Sequence, residues 1–306
     1  MSNYTKGELI AEGKTKCIWE VVGNANLVIV ENKNDITAFD DPSLTKQFAT
    51  KGACATTTTS RVFEMLHKAG IKTAFVEQIS DTEFVMKRCK MIPLEVVARR
   101  YAYGSYLKRE PSLAQEPPLR FNEPVIEFFL KTSKGMLVVN GKTIVEGLKW
   151  EKGENGGEED PFIIDPFEPD WHLAHSKKPL GTPGSDLDRV VLAADVLPFS
   201  DKVASDKTMW IIRDIMHKVF IALEDAFDRV LTRFIDIKIE VGIDPETGMI
   251  VVADDINNDS WRIRDENWQE LSKERFRQGE KLEVVEQLYQ LVAEIVSRPE
   301  FLGEVA

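Results

Sequence analysis

The sequence predicts an α+β fold in two lobes, an antiparallel β-rich N-terminal lobe and a larger α+β lobe with a cleft between them. Three observations carry this reading. Short strand-like runs crowd the first 40 residues, helical periodicity governs 208–234 and returns after 266, and turn-rich sequence fills most of 133–207. With 306 residues and 43% hydrophobic content the chain can bury a large core, more readily in two lobes than in one. The predicted boundary gives a lobe of residues 1–90 and a second of 91–306.

Leu9 to Glu20 reads as two strands around an EGKTK turn, Asn26 to Glu31 as a third and Ile36 to Phe39 as a fourth. Strands this close in sequence pair most simply as antiparallel neighbours. Ser60 to Ala69 (SRVFEMLHKA) has apolar residues at 62, 63, 65, 66 and 69, which predicts a helix with Ser60 as N-cap and Gly70 as its stop. Thr73 to Gln78 and Glu83 to Lys87 add two strands, and Pro93 marks the passage to the second lobe. From Ser133 to Lys207 the runs NGK, GENGGEEDP, DPFEPD and KPLGTPGSD predict a loop-rich insertion with short strands such as Met136 to Val139. Its Glu151 to Asp170 portion holds eight acidic residues against one lysine. Thr208 to Phe234 predicts a long helix running into a strand, and Glu266 to Val296 predicts one or two helices broken near Gly279.

Composition removes several classes of function. Cys17, Cys54 and Cys89 lie far apart without CxxC spacing, which argues against a disulfide framework or a zinc site and suggests a reducing compartment. The opening MSNYTKGELIAEGKTK has no apolar signal core, and no stretch approaches the roughly 18 uninterrupted apolar residues of a membrane span, so the expectation is a soluble cytoplasmic protein. A net charge of -12 disfavours a general nucleic-acid partner and leaves small anionic substrates to a local basic pocket.

The densest chemistry lies in Ile235-Asp-Ile-Lys-Ile-Glu-Val241, followed by the loop DPETG and the run Met249 to Asp254. A period of two puts Asp236, Lys238 and Glu240 on one face and the apolar residues on the other. With DPETG as the hairpin loop, paired residue numbers sum to about 492, which sets Asp254 opposite Lys238 and one diagonal from Glu240. Two carboxylates beside an ammonium suit a divalent cation that bridges nucleotide phosphates. A solvated sheet face carrying an ion pair is the competing reading. Gly13, Lys14 and Lys16 of EGKTK form a second group: the lysines point the same way, and the glycine admits a ligand close to the backbone. This segment is not a Walker A loop. A third, Ile92 to Arg109 (IPLEVVARRYAYGSYLKR), concentrates cations and a Gly-Ser pair suited to a phosphate or carboxylate. A fourth, ADDINNDSWRIRD, brings Arg262 back near the acidic face.

In this order the segments resemble the SAICAR synthetase family. The matching pieces are EGKTK, NDITAFD (34–40), Lys51-Gly52, GIKTAF, MIPLEVVARRYAYGSYLKR, PVIEFFLK (124–131), DIKIEVGID, IVVADDINNDSWR and KERFRQ (273–278), about three quarters of the chain. The resemblance implies an ATP-dependent ligase joining L-aspartate to the carboxylate of carboxyaminoimidazole ribotide (CAIR), with ATP and Mg²⁺ as co-substrate and cofactor. It implies nucleotide contacts at Gly13, Lys14, Lys16, Met91 and Lys238, catalytic roles for Lys14, Lys238, Glu240 and Asp254, and metal contacts at Glu240 and Asp254. Arg99, Gly104, Ser105 and Arg262, with Glu95 and Lys131 as further contacts, match the residues that hold the ribotide.

The chain departs from the family pattern after FLK, where Thr132-Ser133-Lys134 opens the insertion and Asp160-Pro161 stands as the displaced Asp-Pro element. Phe39 and Pro42 replace smaller residues in NDITAFDDPSLTK. His172 and His175, near Asp165 and Asp170, have the spacing of a metal pair but lack a clear third ligand, while His67 and His217 read as packing or surface residues. The alternative function is a paralogous ATP-dependent carboxylate-amine ligase or phosphotransferase with another acceptor. A silent nucleotide-binding scaffold would have lost a lysine or a metal carboxylate, and none is missing at the matched positions.

Overall fold

A computed structural model of the chain describes residues 3–37, 42–132, 135–139, 142–146, 160–177, 196–197 and 202–304. In chain order the elements begin with β1 (Lys6–Glu12), β2 (Lys16–Val21), β3 (Asn24–Asn32), β4 (Asp35–Thr37), β5 (Thr45–Gln47), α1 (Lys51–Lys68), β6 (Phe75–Gln78) and β7 (Glu83–Lys87). There follow β8 (Lys90–Tyr101), α2 (Ser105–Arg109), β9 (Arg120–Leu130), β10 (Leu137–Val139), β11 (Lys142–Val145), β12 (Phe162–Ile163), β13 (Trp171–Ala174) and β14 (Val196–Leu197). The last are α3 (Asp206–Asp228), β15 (Arg233–Ile243), β16 (Ile250–Ala253), β17 (Trp261–Arg264), α4 (Glu274–Arg277) and α5 (Leu282–Val296). Among the described residues no helix is long and apolar enough to cross a membrane.

The chain divides into one unit of residues 1–91 and 218–306 and another of residues 92–217. The first cut falls beside the predicted 90/91 boundary, but 218–306 joins the N-terminal unit instead of the second lobe. The reason is core completion: Ile36, Phe48 and Cys54 are covered by Phe276, Val285 and Tyr289, which also sets the Phe48 and Tyr289 rings edge to face.

In the first unit the strands run β1-β2-β3-β7-β6, antiparallel throughout, with Val21, Ile29 and Val85 buried beneath Trp19 and Leu27. β15 pairs with both β16 and β17. Helix α1 begins at Lys51, more than two turns before the predicted Ser60 cap, and Ser60 is buried within it. Its first turns, KGACATTTT, are packed through Thr56, Thr58 and Thr59 and so lack the apolar period that reveals a helix. Gly70 does follow its end, at φ 78°. A Cβ on Gly52 would meet the Asn32 carbonyl at 2.8 Å, so glycine is what lets α1 start against β3.

The loop after β15 is anchored by Lys87, whose Nζ donates to Asp244 Oδ2 at 2.6 Å, while the Glu246 amide donates to Oδ1. Burial opposes ionisation of Asp244, but these donors hold its carboxyl down to about 2. A depressed carboxyl stabilises the fold fully above its unfolded pKa of about 4 and loses that contribution as pH falls through the folded value. Lys87→Met is therefore expected to destabilise the protein at pH 7 and to cost nothing below about pH 2, read as urea midpoints across the pH range.

In the second unit β8 pairs antiparallel with β9, β9 with β12, β12 with β13, and β13 with β14. β10 and β11 form a separate hairpin that includes the predicted 136–139 strand. β8 runs through Pro93, which ends nothing. The proline precedes the first β8–β9 pair, Leu94↔Leu130, and contributes its carbonyl to the Lys131 amide. The predicted 208–234 helix stops at Asp228, and Leu231, at φ 57°, turns the chain so that Phe234 belongs to β15. The break between α4 and α5 falls at Gly279, φ 83°.

Candidate functional site

On β15 the alternation holds. Ile235, Ile237, Ile239 and Val241 are core residues, and Asp236, Lys238 and Glu240 share the other face. Asp236 is 4% exposed and Glu240 6%, so the solvated-face reading fails for the carboxylates. Lys238 Nζ lies 3.8 Å from Glu240 Oε1, and Arg262 Nη1 donates to Asp236 Oδ2 at 2.7 Å from the facing position on β17. Arg262 also pairs with Glu274 at 3.4 Å; burial works against its charge, but Asp236 and Glu274 raise its pKa further.

The hairpin register is one residue away from the predicted one. Pairs run from Ile243↔Ile250 to Glu240↔Ala253, because Met249 joins the loop, where its carbonyl accepts from the Asp244 amide at 2.9 Å. A one-residue slip exchanges the faces of a strand, so Asp254 does not stand opposite Lys238. Instead the ladder stops at Ala253, Asp254 adopts φ 70°, and its carboxylate accepts from Lys16 Nζ. Asp255 accepts from the same ammonium. The cation that Asp254 and Asp255 share is thus Lys16, at the start of β2. Burial would lower the pKa of Lys16, but Asp254 and Asp255 hold it well above the ordinary range, while burial pushes Asp255 up.

Lys14 is exposed in the β1–β2 turn. A Cβ at Gly13 would meet only the Lys16 carbonyl at 3.6 Å, an ordinary contact, so packing within the chain does not demand that glycine. Gly242 differs: a Cβ there would lie 2.7 Å from Cys89 Cβ and 3.2 Å from Met91 Sδ. Met91 itself is 42% exposed.

Asp255, Asn257, Asp259, Lys51 and Tyr289 form a network that the sequence reading did not single out. Asn257 Nδ2 donates to Asp255 Oδ2, and Asn257 Oδ1 accepts from the Asp259 amide at 2.9 Å. Asp259 Oδ2 accepts from Lys51 at 3.0 Å and Oδ1 from the Tyr289 hydroxyl, with Lys273 Nζ 3.5 Å away. The available signal was Lys51 in the KG pair, a charge beginning a helix whose first turns are otherwise small residues.

In the second unit Arg99 and Ser105 meet: Arg99 Nη2 donates to Ser105 Oγ at 3.1 Å, and Nη1 to the Tyr103 carbonyl at 3.4 Å. Gly104, at φ 59°, turns β8 into α2 and so presents Ser105 to the arginine. Glu95 lies on the Arg99 face of β8, half-buried, and Lys131 is exposed just beyond β9. Arg99 Nε donates to Glu127 Oε2 at 2.5 Å, and Arg109 Nη2 donates to Glu127 Oε1. Glu127 was legible as the lone acidic residue inside PVIEFFLK, since a carboxylate on a buried strand needs a partner. Asp160 accepts from the Thr132 amide at 2.7 Å and from its hydroxyl at 2.9 Å, and the Pro161 carbonyl accepts from Leu130. The Asp-Pro element therefore returns to the end of the FLK strand.

Among the described residues no group of three or more His, Cys, Asp or Glu is disposed to hold a metal ion. A cation at Glu240 and Asp254 would take its remaining oxygens from phosphates and water, which fits Mg²⁺. His172 lies on β13 and His175 just past it, and in extended chain that spacing points the two rings to opposite faces. His67 Nε2 pairs with Thr73 Oγ1 at 2.7 Å, and His217 is 3.7 Å from Glu123. Phe39 and the Pro42 side chain lie outside the described residues, as does most of the predicted insertion.

A family model described as SAICAR synthetase matches residues 9–151 and 185–295. The phosphoribosylaminoimidazole-succinocarboxamide synthase of Roseiflexus sp. (strain RS-1) is 32% identical over 295 residues, 94% of this chain and 96% of that protein. The probable multifunctional protein ADE2 of Caenorhabditis elegans is 32% identical over 285 residues, 93% of this chain, which spans only 55% of that protein's length. In fold the chain is similar to a SAICAR synthetase (Type-2) solved in complex with ADP, with a TM-score of 0.69 at 24% identity over 95% of this chain and 97% of that one.

Proposed function

This chain belongs to the SAICAR synthetase family, and on that premise we propose that it is an ATP-dependent carbon-nitrogen ligase of purine biosynthesis. It joins L-aspartate to the carboxylate of CAIR, giving SAICAR, ADP and phosphate, and it works in the cytoplasm, where its three free cysteines remain thiols. The observation that carries the reading is the Lys16 ammonium held between Asp254 and Asp255, with Lys238 and buried Glu240 on the adjoining strand.

A carboxylate is a poor electrophile, so the CAIR carboxylate oxygen attacks the γ-phosphorus of ATP and ADP leaves with the bridging oxygen. The aspartate amine then attacks the acyl carbon, phosphate departs with its electron pair, and the nitrogen gives up a proton as the amide forms. Lys14, Lys16 and Lys238 would gather positive charge around the transferring phosphoryl group, and Met91 would meet the adenine. Glu240 and Asp254 would hold Mg²⁺, which neutralises phosphate charge when bound. Arg99, Gly104 and Ser105, with Glu95, Lys131 and Arg262 as further contacts, would hold the phosphate and carboxylate of the ribotide. No enzyme nucleophile is needed; orientation of the amine supplies much of the acceleration.

The test is coupled ADP release with CAIR, L-aspartate and MgATP, each omitted in turn, repeated with Glu240→Gln. Turnover should require all three, and the variant should fall about a hundredfold. ADP release without CAIR or aspartate, or a Glu240→Gln rate equal to that of the unmodified protein, would overturn the reading.

A further inference from the structure

Glu127 is a buried carboxylate shared by two buried guanidiniums, those of Arg99 and Arg109. Arg109 is the last residue of α2, the helix that opens at Ser105, and is 2% exposed. Its Nη1 donates to the Ser176 carbonyl, and its guanidinium lies 4.3 Å from the Phe162 ring centroid and 5.4 Å from that of Phe129. Phe162 is on β12, paired with Phe129 of β9, and Ser176 follows β13. Among the groups that fix this arginine, the Phe162 ring and the Ser176 carbonyl come from residues 152–184, which the family model leaves unmatched.

We propose that Arg109 is a positioning residue for the ribotide and that the β12–β13 hairpin belongs to the ribotide site as the clamp that holds Arg109. The proposal rests on the assignment of Arg99 and Ser105 to the ribotide made above. A carboxylate and a guanidinium left alone pair side by side through two parallel hydrogen bonds. Here Arg109 occupies Glu127 Oε1, so Arg99 meets Oε2 through Nε and turns its Nη2 to Ser105. Val97↔Glu127 is the register pair, which puts Glu127 one diagonal from Arg99 on a shared face and makes this sideways contact reachable. Without Arg109, Glu127 can rotate and take Arg99 in the two-bond mode, drawing the guanidinium away from Ser105. The hairpin prevents this by fixing Arg109 from outside, through a backbone carbonyl and a cation-π contact that a surface loop could not keep dry.

The test uses Arg109→Met, which keeps the length of the side chain and its apolar stem but loses both donors. Affinity for SAICAR is measured by calorimetry without nucleotide, and affinity for MgADP in parallel, on the full chain. SAICAR binding should weaken about tenfold and the CAIR KM rise as much, with MgADP affinity unchanged within about twofold. Arg109→Lys, which retains charge and one donor direction, should fall between, and it decides the matter if Arg109→Met does not fold. In an Arg99→Lys background Arg109→Met should add nothing, since it acts through Arg99. SAICAR affinity unchanged in a folded Arg109 variant, equal losses for SAICAR and MgADP, or effects that add in the double variant would each overturn the proposal. If Arg99→Lys alone leaves SAICAR affinity intact, the ribotide assignment itself fails; if it weakens SAICAR while the Arg109 variants do not, only the clamp is wrong.

Discussion

Replacing Lys16 with Met is expected to lower ligase turnover at least about a thousandfold and to weaken MgADP binding in step. Lys16 carries its charge at every pH near neutrality, because Asp254 and Asp255 together outweigh the burial that would discharge it. The substitution removes that charge and leaves two adjacent carboxylates facing each other. Their repulsion, no longer offset by the ammonium, pushes the carboxyl pKa of the pair up, and Asp254 loses the partner that draws it out of the β16 line. A pure binding role for Lys16 would raise the MgATP KM and spare kcat, whereas a role in phosphoryl transfer lowers kcat. Steady-state rates at saturating MgATP separate the two, and a kcat within tenfold of the unmodified protein would sink the assignment.

Asp259→Asn is expected to destabilise the fold by about 3–5 kcal/mol, the cost of stranding one member of a buried ion pair. Lys51 is 1% exposed, and its ammonium is 3.0 Å from Asp259. Asp259 also accepts from Tyr289 and faces Lys273, and although burial opposes its charge these partners hold its carboxyl well below the usual carboxylate range. Removing the carboxylate leaves the Lys51 ammonium buried, 5.8 Å from the Tyr289 ring, with no counter-charge from Asp259. The double variant Asp259→Asn/Lys51→Met should recover much of the loss, since it withdraws the stranded charge. Urea midpoints of the single and double variants check this, and a single-variant loss under about 1 kcal/mol would show that the pair carries little of the fold.

How much of this was legible in the sequence depended on which physical period carried the signal. The charged face of β15 was readable because a strand repeats every two residues whatever lies around it. Asp254 was set opposite Lys238 by a register one residue off, because a loop that recruits Met249 changes register without changing composition. The start of α1 was hidden by threonines that pack like small apolar residues, and Pro93 read as a boundary although it sits where β8 has not yet begun to pair with β9. Asp259, Tyr289 and the Arg109 link depend on contacts between residues far apart in the chain, which no local period encodes. The family resemblance supplied Arg99 and Ser105, and the structure joins them; the Phe162 ring and the Ser176 carbonyl, which hold Arg109 beside Glu127, come from residues outside the family match.

The first unit is assembled from both ends of the chain, and this imposes an order in time. When the ribosome has released residues 1–91, Ile36, Phe48 and Cys54 still lack Phe276, Val285 and Tyr289, which are made some 200 residues later. Until those residues are made the first unit keeps apolar side chains uncovered. Nascent chains of this protein are therefore most exposed to misassociation and to chaperone capture through α1 and β4, in the interval before α5 emerges.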